Sequence, residues 1–259
     1  MAKFILEQLD VKVSTQAVSN LIHDMDISWK QVTNIPAAWN WTDLIKQRAN
    51  FVGQRGLDLG QKVVFIDEAG FDLHSGWGFG YAPSGQPAVL SLVPKANQVT
   101  LIGALSVDGF DYYKLLNANN TKAKGVGEDE VCLFLGSLGA RLPRESIIIM
   151  DNAPTHQGKR FREVISSLEA SKSIKVKFLP PYSPFLNPIK YSFHLIKSYV
   201  RLKQPPHQAA LVEEIKRVVV ETITPKKSKK FFSHCQQLYR PCAKFQQITG
   251  AVLAAPPND

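Results

Sequence analysis

The chain has 259 residues, 44% of them hydrophobic and 20% charged, a composition that describes a globular chain and excludes a disordered or fibrous one. No apolar run approaches the roughly 18 residues that a membrane-spanning helix needs, and the N-terminus lacks the basic-then-apolar pattern of a secretory signal. Three scattered cysteines, Cys132, Cys235 and Cys242, make no disulfide framework and point to a reducing compartment.

The net charge of +9 is unevenly placed. Residues 1–170 carry 16 Lys and Arg against 18 Asp and Glu, whereas residues 171–259 carry 15 against 4. A cationic surplus gathered in the last third suits a polyanionic partner, because neutralising phosphates releases their counterions. A solvated basic helical face explains the surplus equally well.

In chain order, Phe4-Ile5-Leu6 with Leu9 reads as a short amphipathic helix. Ser14 then caps a second helix, Thr15 to His23, with Val18, Leu21 and Ile22 on one face. Helix, short turn and helix with a polar outer face is the shape of a helix-turn-helix, and equally of a generic helical hairpin. Ser28 to Pro36 reads as a linker, followed by a helix from Trp41 to about Val52.

From Lys62 the pattern changes to short apolar strands. Val63-Val64-Phe65-Ile66 is expected as a buried strand ending at Asp67-Glu68. Trp77 to Ala82 is punctuated by glycine, and Pro83-Ser84-Gly85-Gln86 has turn chemistry. Val99 to Val107, Asp108-Gly109 and Asp111 to Leu116 read as strand, tight turn and partner strand. A helix from Glu128 to Leu138, a strand Ile147 to Met150, a helix over 159–170 and a strand Ile174 to Leu179 follow. A proline-rich turn and three helices complete the chain. Antiparallel strands followed by alternating strands and helices predict a mixed α/β sheet.

Two apolar strands finish in carboxylates, Phe65-Ile66-Asp67-Glu68 and Ile149-Met150-Asp151-Asn152. Carboxylates held at strand ends can converge on hard Mg²⁺ ions, which prefer oxygen ligands and support phosphodiester chemistry in pairs. An Asp ending a strand also serves as an ordinary cap or turn residue. The further string Leu179-Pro-Pro-Tyr-Ser-Pro-Phe-Leu-Asn-Pro-Ile189 precedes a helix from about Pro188 to Arg201. Together with Asp67-Glu-Ala-Gly-Phe71, Tyr81-Ala-Pro-Ser-Gly85 and Met150-Asp-Asn-Ala-Pro-Thr-His156, it resembles the mariner-like DDE transposase superfamily over residues 60–240. The stretch through Pro36 resembles the second half of that family's helix-turn-helix region.

The resemblance implies an α/β, RNase H-like mixed sheet flanked by helices, with a short all-helical N-terminal segment. Residues 1–52 would form a partial helix-turn-helix and linker, and residues 60–250 the DDE-type domain. It further implies Mg²⁺- or Mn²⁺-dependent DNA cleavage and strand transfer, with Asp67 and Asp151 as the first two catalytic acids and metal ligands. DNA is the implied partner, a homodimer the implied assembly, and the nucleus the implied location in a eukaryote, otherwise the cytoplasm. Ser14, Thr15 and Ser19 on the second helix are candidate DNA contacts. Lys226, Lys227, Lys229 and Lys230 form a basic run that reads as phosphate-contacting, as a nuclear localisation signal, or as a solvated helix start.

The chain departs from the family at the third acid, where Lys190 stands. No Asp or Glu lies between Glu169 and Glu213 to replace it, and Tyr191-Ser192-Phe193 follows where the family tends to keep a tryptophan. Exchanging −1 for +1 turns attraction into repulsion, and a unit pair about 4 Å apart is worth roughly 4 kcal/mol at an effective dielectric near 20. Affinity for a second metal should fall and catalysis should be impaired. The alternative is a non-catalytic DNA-binding protein derived from a transposase. His194, one helical turn beyond Lys190, could supply a nitrogen ligand, or the Lys190 ammonium could neutralise Asp67 and Asp151 directly.

The remaining signals are weaker. His234-Cys235 with Cys242 fits no common zinc spacing. His156 is expected beside the site in a supporting role, and Glu68 and Asp72 as second neighbours of Asp67 or facing solvent. Gly76, Gly78 and Gly80 do not follow a phosphate-binding spacing.

Overall fold

The computed structural model describes residues 2–25, 27, 35–55, 58, 60–73, 84, 98–118, 126–153 and 158–250. The glycines at 76, 78 and 80, Tyr81, His156 and most of the 28–36 linker lie outside the described residues. The chain divides into two units, Met1–Pro36 and Ala37–Asp259.

The first unit contains α1 (Ala2–Leu9) and α2 (Thr15–Asp24). Ser14 takes an extended conformation ahead of α2, and its Oγ accepts a hydrogen bond from the Ala17 N–H at 3.0 Å, the expected N-cap. Val18 is buried, but Leu21 is 57% exposed. The apolar face read from the sequence is therefore only partly covered, as befits a segment too short to build a full second layer.

In the second unit a 3-10 turn (Ala37–Asn40) leads into α3 (Thr42–Arg55). Five strands follow: β1 (Val63–Phe71), β2 (Val99–Ser106), β3 (Gly109–Leu116), β4 (Ile147–Met150) and β5 (Lys175–Phe178). Helices α4 (Glu128–Arg141) and α5 (Lys159–Lys172) alternate with the last strands. Helices α6 (Pro188–Lys203), α7 (Gln208–Thr222), α8 (Pro225–Gln237) and the short α9 (Tyr239–Ala243) come last. The sheet order is β3-β2-β1-β4-β5, with β1, β2 and β3 antiparallel in succession and β4 and β5 parallel to β1. This is the RNase H-like mixed sheet that the resemblance implies. The expected hairpin joins β2 and β3 with its turn one residue earlier, at Val107-Asp108, because Gly109 pairs with Ser106 and opens β3 at φ +114°, a conformation open to glycine.

Period-two alternation sends the two faces of the sheet into two cores. Phe65, Ala69, Phe71, Leu101, Leu105 and Ile149 pack with α3, α6, α7 and α8, while Val64, Ile66, Ile102, Ile148 and Met150 pack with α4 and α5. Among the described residues, no helix is long and apolar enough to cross a membrane.

One expectation is corrected. Strand β1 does not stop at Asp67-Glu68 but continues to Phe71. Its partner β2 supplies a pairing residue at every step from Phe65 opposite Leu105 to Phe71 opposite Val99. Backbone hydrogen bonding thus carries the strand through the acidic pair, and Asp67 sits inside the ladder instead of beyond its end.

Candidate active-site cleft

Asp67 lies on the odd-numbered face of β1, so its side chain points to the α6 side, in the same layer as Phe65 and Ala69. Parallel pairing places Phe65 opposite Ile149. Asp67 and Asp151 each stand two residues further on, Asp67 within β1 and Asp151 just past the end of β4, so the two acids come at the same end of neighbouring strands. Both line one cleft of about 330 Å³, together with Asn152, the Leu179–Pro184 turn, Asn187 and Lys190. The proline-rich turn walls the cleft. Within it Tyr182 adopts φ +52°, a left-handed conformation uncommon for an aromatic residue, and its side chain is 61% exposed.

Helix α6 begins at Pro188, where the missing N–H costs nothing, after an extended Asn187. Its first turn brings Lys190 against β1, and Lys190 Nζ donates to Asp67 Oδ2 at 2.7 Å. Asn187 Nδ2 donates to the same oxygen at 2.8 Å, and the Glu68 backbone N–H donates to Oδ1 at 2.8 Å. The Asp67 side chain is 4% exposed and that of Lys190 46%. Burial pushes the Asp67 carboxyl above its ordinary range. The Lys190 charge and hydrogen bond, then the Glu68 amide, pull it part of the way back.

Two residues without an assigned role in the sequence reading hold this arrangement. Asn187 is 1% exposed and spends its amide N–H on Asp67, while its Oδ1 is buried with no partner among the described residues. Gly103 pairs with Asp67 across β1 and β2. A Cβ there would meet Phe110 Cε1 at 2.5 Å and Ile189 Cδ1 at 3.3 Å. Its bare Cα lets the start of α6 settle against the sheet, which puts Lys190 within reach of Asp67.

The residues present do not fit a pair of divalent ions. The ammonium of Lys190 already occupies Asp67 Oδ2. The orphaned Oδ1 of Asn187 is sealed from solvent. Among the described residues no group of three or more His, Cys, Asp or Glu side chains is arranged to hold a metal. His194 is exposed on α6 and does not line the cleft. Glu68 contributes its backbone N–H to Asp67.

The other candidates lie elsewhere. Ser14 is committed as the α2 cap, and Thr15 and Ser19 are exposed on that helix. On α8, Lys226, Lys229 and Lys230 are exposed, while Lys227 Nζ sits 5.7 Å above the Tyr199 ring of α6. All three cysteines are buried and free, and His234 stands edge-on to Tyr191 at 4.8 Å.

A sequence profile described as DDE superfamily endonuclease matches residues 62–212. Comparison with curated proteins returned no significant match. Among solved structures, the Mos1 transposase paired-end complex with left transposon end aligns with a TM-score of 0.74 at 20% identity, over 94% of this chain and 73% of that one. The Mos1 mariner paired-end complex with Mn aligns with a TM-score of 0.69 at 22% identity, over 94% and 73% of the two chains. The catalytic domain of Mos1 mariner transposase aligns with a TM-score of 0.58 at 15% identity, over 83% and 97%.

Proposed function

The chain belongs to the DDE superfamily endonucleases, and we propose that it binds DNA through a transposase-type domain whose catalytic centre Lys190 has silenced. The ion pair between Lys190 and Asp67 carries this reading. Phosphodiester cleavage in a two-metal site needs cations that polarise the attacked phosphate and generate the nucleophile. An ammonium neutralises a carboxylate but offers no open coordination position, so it cannot bring a water oxygen to attack. Asp67 and Asp151 stand where the first two acids of the family are expected, and Lys190 takes the place of the third.

DNA as the partner is supported by the basic last third of the chain and by the likeness to the Mos1 transposase paired-end complex with left transposon end. Exposed Lys226, Lys229 and Lys230 supply sequence-independent phosphate contacts, and Thr15 and Ser19 are the helix-turn-helix contacts in this reading. Light scattering with and without DNA reads out the homodimer that the family resemblance implies.

The test is a calorimetric titration of Mg²⁺ and Mn²⁺ into the wild type and Lys190→Glu, followed by plasmid nicking. The expected result is no metal binding and no nicking by the wild type, with metal binding restored in Lys190→Glu. A wild type that binds metal and nicks DNA overturns the reading. If neither protein binds metal, the charge at position 190 is not what closes the site.

A further inference from the structure

We propose that one flank of α6 is a DNA phosphate track that starts at the mouth of the cleft and needs no divalent metal; it rests on the reading of the chain as a DNA binder. Lys190, His194, Lys197 and Arg201 recur at intervals of four, three and four residues, which places them on one side of the helix. From Lys190 to Arg201 the helix rises about 16 Å.

The sheet confirms the alignment. Lys190 meets Asp67 while Lys197 Nζ lies 5.6 Å from the centre of the Phe71 ring. Those two strand residues are about 13 Å apart along β1, and the two lysines are about 10 Å apart along α6. The helix therefore runs alongside the central strand β1, with its basic flank following that strand away from the cleft.

The charge on this flank has little to answer it within the protein. Helix α6 contains no carboxylate, and none occurs between Glu169 and Glu213. The contrast with α7 is informative. There Lys216 pairs with Glu213, and Arg217 pairs with Glu214 and Glu221, so those cations are spent inside their own helix. On α6 only Lys190 has an acidic partner among the described residues, and its ammonium retains two further N–H donors. Arg201 adds a buried Nε with no partner among the described residues.

A flank of three cations over about 16 Å matches a duplex strand that presents a phosphate every 3.4 Å or so along its axis. The substitution at position 190 adds a cation to this flank where the family keeps an acid. In this proposal the change both closes the catalytic site and extends the binding surface.

The test is fluorescence anisotropy with a labelled random-sequence DNA duplex, in EDTA, across a salt series. It compares the wild type with the Lys197→Gln, Arg201→Gln double variant, and with Lys216→Ala as a control whose charge is already met by Glu213. Thermal melting checks that each protein is folded. Each lost phosphate contact reduces the slope of log affinity against log salt by about 0.9, so the double variant should lose about 1.8 and the control nothing. Between 50 and 200 mM salt the wild type should then lose about twelvefold more affinity than the double variant. A folded double variant with the wild-type slope overturns the track and leaves DNA binding in place. A wild type that binds only when Mg²⁺ is added overturns its independence from metal. A wild type that binds no DNA under either condition overturns the reading on which the track rests.

Discussion

Replacing Lys190 with methionine removes the ammonium and keeps a chain of similar shape. It leaves buried Asp67 with the Asn187 amide and the Glu68 N–H against its charge. At the 2.7 Å separation of Nζ and Oδ2, Coulomb's law gives an upper bound of about 6 kcal/mol at an effective dielectric near 20. The lysine side chain is 46% exposed, so water screens the pair. A cost of about 2–3 kcal/mol is expected near neutral pH.

That cost depends on pH with a definite sign. Burial holds the Asp67 carboxyl above its ordinary range, so the folded chain binds a proton there more readily than the unfolded chain. Stability therefore declines as pH rises from the unfolded value of the group to the folded one, and Lys190 limits the decline. Without Lys190 the folded value climbs and the decline extends to higher pH. Below the carboxylate range Asp67 is protonated in both states and the ammonium has no charge to meet. Urea unfolding of the wild type, Lys190→Met, Asp67→Asn and the double variant closes a thermodynamic cycle. A coupling of about 2–3 kcal/mol is expected at about pH 8, falling below about 1 kcal/mol at about pH 4. Coupling near zero at the higher pH, or equal at both, refutes the reasoning.

Other substitutions probe the supports of the site. Gly103→Ala forces a Cβ towards Phe110 and Ile189, and should lower stability by about 1–3 kcal/mol; an unchanged melting temperature would show that α6 does not depend on this close approach. Asp58, with a side chain 4% exposed, accepts from Arg55 and Lys177 at 2.6 Å each and ties the end of α3 to β5. Asp58→Ala strands both cations and should cost about 3 kcal/mol by urea denaturation, whereas a loss below about 1 kcal/mol would mean that water already serves them. Lys190→Glu places two carboxylates face to face and should melt below the wild type in EDTA, with Mn²⁺ raising its melting temperature and leaving that of the wild type unchanged.

The parts of the fold that were legible in the sequence are those with local causes. Ile147-Ile148-Ile149-Met150 is apolar without interruption and forms β4 over those residues. Asp108-Gly109 marks the hairpin to within one residue of its turn, and Ser14 caps α2 as its side chain dictates. The continuation of β1 through Asp67-Glu68 has a distant cause, since the ladder is supplied by β2 more than 30 residues later. Asn187 stood in view within a recognisable string, yet its hydrogen bond to Asp67 spans 120 positions and no spacing rule announces it. Gly103 looked like one small residue in an apolar strand; its role is visible only once Ile189 is packed against it.

Lys190 shows the same division between what a residue type says and what its surroundings decide. It is the third residue of α6, in the first turn, where the helix dipole favours an acid and disfavours a cation by about 0.3–1 kcal/mol. An acid in that position would be welcomed by the helix and repelled by Asp67, unless a cation stood between them. The lysine reverses both terms, being disfavoured by the helix end and held by a carboxylate that burial would otherwise drive towards its neutral form. The attraction across 2.7 Å exceeds the dipole penalty even after screening. Each charge is therefore tolerated because the other is present. Restoring the acid by a single substitution removes the counterion of Asp67 at the same moment as it recreates a ligand, so the restored site depends on a bound cation for its stability as well as for its chemistry.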